Sequence, residues 1–147
     1  MSSGAGDALG AVIRAQTARR MRAEARLAEA RKAVKDAEEA IAALDARLSA
    51  LEPARTPEDA GRLAIWQMAL LERREAAREA RDAALAPIAA LCRDLAIEQA
   101  REDAARDLQT AQQREARALA DRRAETPPAP TASTLASDRL HVTAGES

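Results

Sequence analysis

The sequence predicts an all-α chain: an antiparallel two-helix coiled-coil hairpin with a longer second helix and a disordered C-terminal tail. Three observations carry this. Ala, Arg, Glu and Leu dominate the composition, 32% of residues are charged, and Trp66 is the one aromatic side chain, so the large rings that fill a thick core are missing. Two long stretches, about 8–52 and about 57–125, carry helical periodicity with few interruptions. Between them, a turn over 53–56 holds both a stop and a start. Pro53 lacks a backbone N–H and biases Glu52 away from helical backbone. Thr56 then reads as an N-cap, Pro57 as the first helical residue, and Glu58 and Asp59 put acid in the first turn. Helices joined by so short a link fold back on one another as an antiparallel pair.

Met1 to Asp7 is small and Gly-rich and is expected to fray. The first helix then carries two interleaved heptad rows. One is Ile13, Arg20, Leu27, Val34, Ile41, Leu48; the other is Leu9, Gln16, Ala23, Ala30, Ala37, Leu44, Leu51. A 3.5-residue repeat of that length argues for a coiled-coil seam, thin in the middle where Ala recurs. Its flanks carry Arg19, Arg26 and Arg47 on one side and Glu24, Glu38 and Asp45 on the other.

The second helix repeats Ala at seven-residue spacing (Ala69, Ala76, Ala83, Ala90, then Ile97, Ala104, Ala111, Ala118) beside Leu63, Leu70, Ala77, Ala84 and Leu91. We read the two rows together as its seam. Pro87 has no turn residues around it and reads as a kink in a continuing helix; a break there, giving three helices, is the alternative. A tight turn would set Leu44 near Trp66, Ile41 near Ala69 and Leu70, Leu27 near Ala83 and Ala84, and Ile13 near Ile97. At 1.5 Å per residue the helices would be about 65 Å and about 100 Å long, so residues from about Ala104 to Glu125 would overhang the first helix. Thr126-Pro127-Pro128-Ala129-Pro130 ends the pattern, and 126–147 is a Pro/Ser/Thr-rich tail expected to be disordered.

Candidate chemistry is sparse. His141, the single histidine, lies in the tail, which leaves no His-based triad or paired-His metal site. Gly4, Gly6 and Gly10 do not have phosphate-loop spacing. The carboxylates Glu98, Glu102, Asp103 and Asp107 are interleaved with Arg at ion-pairing distance along a helix. Cys92, the single cysteine, precludes an intrachain disulfide and reads as a small core residue. The expectation is a non-enzyme with no cofactor and no metal. Without a span or signal segment, it is cytoplasmic and peripheral to a membrane at most.

Surfaces remain. Arg14 to Lys35 carries eight basic residues against Glu24 and Glu29, and Asp36 to Glu52 reverses the balance. That is either a solvated, ion-paired helix face or a docking surface for an acidic partner. Ile65, Trp66, Met68, Leu70 and Leu71 wrap most of a helix circumference. They either pack the closed end of the hairpin or expose an apolar patch for a protein, with Trp66 as anchor.

Two antiparallel helices with a shorter first arm, a Trp66–Leu71 segment after the break, an Arg-rich helical end (Arg114-Glu115-Ala116-Arg117 and Asp121-Arg122-Arg123) and a Pro-rich terminus resemble the FliJ/YscO family. These are coiled-coil stalks of flagellar and type III secretion export apparatus. The absence of Phe and Tyr and the low Lys content depart from that family. The resemblance implies a non-catalytic stalk and chaperone escort that couples the export ATPase hexamer to the membrane export gate. Arg14, Arg19, Arg20, Arg22, Arg26, Arg114, Arg117, Arg122 and Arg123 would face the ATPase ring. Leu63, Trp66, Leu70 and Leu71 would face the gate. The stalk would be a monomer. The alternative is a generic cytoplasmic coiled-coil adaptor acting through self-association, as a homodimer. A nucleic-acid accessory role for Arg14 to Lys35 is disfavoured by the net charge of −1 and the lack of aromatics for stacking.

Overall fold

The computed structural model describes residues 3–126. The predicted tail over 126–147, with His141, lies outside the described residues apart from Thr126. Among the described residues the chain is all-helical, with no strand: α1 spans Ser3–Ser49, α2 spans Pro57–Leu85 and α3 spans Ile88–Glu125.

α1 differs from expectation at both ends. It begins at Ser3, so Gly4 and Gly6 are helical. Each glycine costs about 1 kcal/mol against Ala, but once the helix is nucleated every added residue gains a backbone hydrogen bond. It ends at Ser49, with a tightened turn in which the Leu51 N–H donates to the Leu48 carbonyl at 3.4 Å. α2 starts on its cap: the Asp59 N–H donates to Thr56 Oγ1 at 3.1 Å, and Thr56 is extended, with φ −130° and ψ 158°.

Pro87 interrupts the hydrogen bonding and little else. The Ala86 N–H donates to the Asp82 carbonyl at 3.1 Å and the Leu91 N–H to the Pro87 carbonyl at 2.9 Å. Ala86 keeps right-handed helical backbone, with φ −53° and ψ −44°. α2 and α3 therefore follow one another across Ala86 and Pro87, which belong to neither helix, with the ladder of backbone bonds interrupted there.

The packed unit runs to Asp107. Within it α1 packs on α2, and side-chain bonds join its first half to α3. The pairing is antiparallel, with Gln16 at Glu98, Thr17 and Arg20 at Glu102, and Asp45 at Arg74. All twelve α1 residues of the two heptad rows, and Leu51 just beyond the helix, are buried or half-buried.

On the other side two corrections apply. The alanine row is not seam: Ala69, Ala76, Ala83, Ala90, Ile97 and Ala104 are all exposed. The buried and half-buried rows are Leu63, Leu70, Ala77, Ala84, Leu91, Glu98, Ala105 and Arg74, Arg81, Ile88, Leu95, Glu102. Rows one residue apart cannot alternate four and three residues, as a packed seam requires. The row that does alternate holds two Arg and a Glu, which a search for apolar residues passes over. Both rows run through Pro87 without a change of phase.

The register is also displaced, by about one heptad from the tight-turn expectation. The cause is the link. Residues 51–56 are non-helical. Extended chain advances about 3.3 Å per residue against 1.5 Å in a helix, so six linking residues can carry the chain as far as about thirteen helical ones. α2 must cover that distance before it meets the end of α1.

The second unit starts at Leu108; its described part is the end of α3, and Arg114 to Glu125 are exposed.

Leu70 and Leu71 give a direct check of the seam. Leu70 is 2% exposed and Leu71 50% exposed. Leu70→Ala is expected to lower unfolding stability by about 2–3 kcal/mol and Leu71→Ala by less than about 0.5 kcal/mol, read by urea melts followed by circular dichroism. Pro87→Ala, which restores the missing donor, is expected to raise stability by about 1–3 kcal/mol in the same melts.

Candidate functional site

One end of the packed seam is polar. Glu102, 6% exposed, accepts from Thr17 Oγ1 at 3.2 Å, from Arg106 Nη2 at 2.9 Å and from Arg20 Nε. Arg20 also donates to Glu24 at 2.6 Å, one helical turn along α1. A turn away, Gln16 Nε2 donates to the Glu98 carbonyl at 3.2 Å and to its carboxylate, which Arg101 holds from outside at 3.2 Å. Arg106 and Arg101 hold Glu102 and Glu98 from four and three residues along the same helix. These bonds set the electrostatics. The Glu102 carboxyl is held below its ordinary value, first by the hydrogen bonds from Arg106, against the opposing effect of desolvation, with Arg20 and Thr17 adding to it. The Arg20 guanidinium is pushed up, chiefly by its bond to Glu102.

That geometry separates Arg20 from the other basic candidates. Arg14, Arg19, Arg22 and Arg26 are exposed on α1, whereas Arg20 is half-buried and engaged inside the seam. Arg114, Arg117, Arg122 and Arg123 are exposed on the second unit; the Arg122 carbonyl accepts from Thr126 Oγ1 at 2.8 Å and from its N–H at 3.1 Å.

The apolar candidates divide in the same way. Leu70 is the most buried side chain of the core and has no outward face. Leu63 is half-buried and, with Trp66 and Asp59, lines a hollow against the linking residues Leu51, Glu52, Pro53, Ala54 and Arg55. Trp66 is 56% exposed, and Ile65, Met68 and Leu71 are exposed beside it. Arg74 Nε lies 2.6 Å from Asp45 Oδ1, off the N–H axis, so the contact is an ion pair and not a hydrogen bond.

Sequence reading missed the network at Glu102 as a unit. The signal was there in the two polar seam residues Gln16 and Arg20, which require polar partners on the facing helix.

Among the described residues no group of three or more His, Cys, Asp or Glu side chains is gathered closely enough to hold a metal ion, and no helix is long and apolar enough to cross a membrane. Cys92 is a half-buried free thiol. The geometry is that of an all-helical chain offering surfaces. No family model matches it, nor does any curated protein or solved structure.

Because the folded carboxyl of Glu102 titrates below 4.5, the stability it contributes is full above that pH and is lost as pH falls through the lowered value. Thermal melts are expected to show the wild type losing stability as pH falls through and below the ordinary glutamate range. Glu102→Gln should melt lower at neutral pH and converge on the wild type in acid. Parallel curves across that range would show that Glu102 is not titrating as its contacts require.

Proposed function

We propose that this chain is a non-catalytic coiled-coil hairpin that serves as a cytoplasmic stalk and chaperone escort in a bacterial flagellar or type III protein-export apparatus, coupling an export ATPase to the membrane gate. The observation that carries the reading is the division of surfaces. The helical pair buries a single seam and leaves a basic row on α1 and an apolar group around Trp66 facing outward. A chain built this way works by holding partners. The ATPase ring takes Arg14, Arg19, Arg22 and Arg26 and, from the second unit, Arg114, Arg117, Arg122 and Arg123. The gate takes Trp66 and Leu71, with Leu63 at the margin. Arg20 and Leu70 support these surfaces from within the seam.

A second reading, a coiled-coil adaptor that self-associates, draws on the exposed Val12, Met21, Leu85 and Ile97, which a second chain could cover. Light scattering separates the two: the stalk is a monomer and the adaptor a dimer or larger.

The variant that tests the gate surface is Trp66→Ala with Leu71→Ala, because both side chains are outside the seam. In tagged pull-downs from the native host, the wild-type chain is expected to bring down an export ATPase and its membrane gate. The double variant should keep its helicity and the ATPase but lose the gate. Gate recovery unchanged by the double variant removes the Trp66 surface from the proposal. Recovery of neither component retires the export role.

A further inference from the structure

The two flanks of the seam are unlike. On one, α1 carries Glu24, Glu38 and Asp45, of which Glu24 and Asp45 are paired with Arg20 and Arg74. On the other it carries Arg19, Arg26 and Arg47, separated by multiples of seven and so in one row; among the described residues none of the three forms an ion pair.

Two cavities open along that second flank. One, of about 400 Å³, lies between Arg47 and the group Ile65, Trp66, Ala69 and Arg73. The other, of about 440 Å³, has Arg19, Arg22, Arg26 and Arg101 around Ala23 and Ile97, with Asp94 and Glu98 also on its wall. Arg47 repeats the row of Arg19 and Arg26, Ile97 repeats the row of Ala69, and Arg101 repeats the row of Arg73. The cavities are thus two openings of one groove. Between them the rows hold Ala33 and Ala40 on α1, with Glu29 and Asp36 following Arg22 on its outer edge, and Ala76, Ala80, Ala83, Pro87 and Ala90 opposite, all exposed. From Arg22 to Arg47 the groove runs about 37 Å.

The charge on the rims identifies what fits. Six arginines border the two cavities against Asp94 and Glu98, and Glu98 and Arg101 engage each other; with Glu29 and Asp36 on the outer edge between the cavities, the groove stays net basic, most strongly at its two openings. Trp66 and Ile97, 56% and 49% exposed, give it apolar ground at each opening. Small residues between them let another helix approach closely, with its larger side chains filling the space over the alanines. A second copy of this chain does not match, because face-to-face grooves would set the same arginine rows against each other.

We infer that the groove seats an acidic amphipathic helix of a partner protein, its apolar stripe over the Ala69–Ile97 row and its carboxylates on the arginine rims. This stands without the export reading, whose ATPase and gate contacts would compete with the helix for Arg19, Arg22, Arg26 and Trp66.

Trp66 supplies the test, since it is the chain's one tryptophan and lies at the groove. The full chain is titrated with a Trp-free helical peptide of about four heptads, with a Leu/Ala stripe flanked by Glu, and with the same peptide flanked by Lys. The Glu peptide is expected to shift Trp66 emission to the blue saturably and to weaken as salt is raised; the Lys peptide should leave it unchanged. Arg22→Glu with Arg26→Glu should weaken the Glu peptide by about tenfold or more. Ala83→Glu with Ala90→Glu, at exposed positions that leave the seam intact, should do the same by obstructing the groove. Circular dichroism establishes that each variant is folded. The inference falls if the Glu peptide gives no saturable shift, if both peptides act alike, or if the Ala83/Ala90 variant binds normally. It also falls if Trp66 is already buried in a dimer, or if a DNA oligonucleotide displaces the Glu peptide.

Discussion

Two paired helices can bury only one stripe each. Here that stripe includes Ile13, Leu27 and Leu70 as its well-buried large apolar side chains, helped by Ala23 and Ala37. A seam so thin contributes stability but specifies alignment poorly, because a heptad pattern slid by seven residues still sets apolar rows against apolar rows. The polar end resolves the degeneracy. With α2–α3 slid by one heptad toward the tight-turn register, Arg20 would face Leu95, and Glu102 would move to Ile13 and Gly10, away from Thr17 and Arg20. Each group would then lose its bonds across the seam and keep only the partner on its own helix, Arg106 for Glu102 and Glu24 for Arg20, a loss that a slid apolar row does not offset. The network around Glu102 therefore acts as the register pin of the fold.

The link sets where the register begins. Because residues 51–56 are non-helical, the first turns of α2 have linking residues beside them, and α1 reaches Ile65 and Trp66 only with Arg47, across an open hollow. Trp66 and Ile65 belong to those turns, and Leu71 and Met68 point away from the seam just beyond, so a chain poor in large apolar residues keeps several exposed in one place. Had the helices closed through a tight turn, Leu44 would have covered Trp66. The exposure of that group is a consequence of chain geometry at Pro53 to Thr56, not of an unusual sequence around Trp66.

Much of this was legible beforehand, and the failures share a cause. The α1 rows, the N-cap at Thr56 and the continuity through Pro87 follow from spacing and backbone chemistry, which are local. The pairing of α1 with α2–α3 depends on how far a non-helical link reaches, and that is decided by backbone angles the residue types do not dictate. The alanine row misled for a different reason. In a chain this rich in Ala, a heptad repeat of Ala arises on more than one face, and Ala is as much at home on an exposed helix surface as in a seam. Arg74, Arg81 and Glu102 were the true markers, since long charged side chains can cover a seam with their stems while keeping their heads in water. Leu70 and Leu71, adjacent and chemically identical, show how little identity alone says about facing.

The exposed alanines also account for the tolerance of Pro87. Proline in a helix interior removes one donor and leaves the preceding turn's carbonyl open, here that of Ala83. On a buried face that carbonyl would be stranded; Ala83 is exposed, so water can satisfy it. The seam residues on either side, Ala84 and Ile88, keep their phase. The helical path can therefore carry proline midway along the open flank, where the neighbouring rows hold small side chains, whereas the other flank has the Asp45–Arg74 ion pair across it. The asymmetry between the flanks is thus written into backbone and side chains together. One side of the pair is satisfied internally, and the other is open both to water and to a partner.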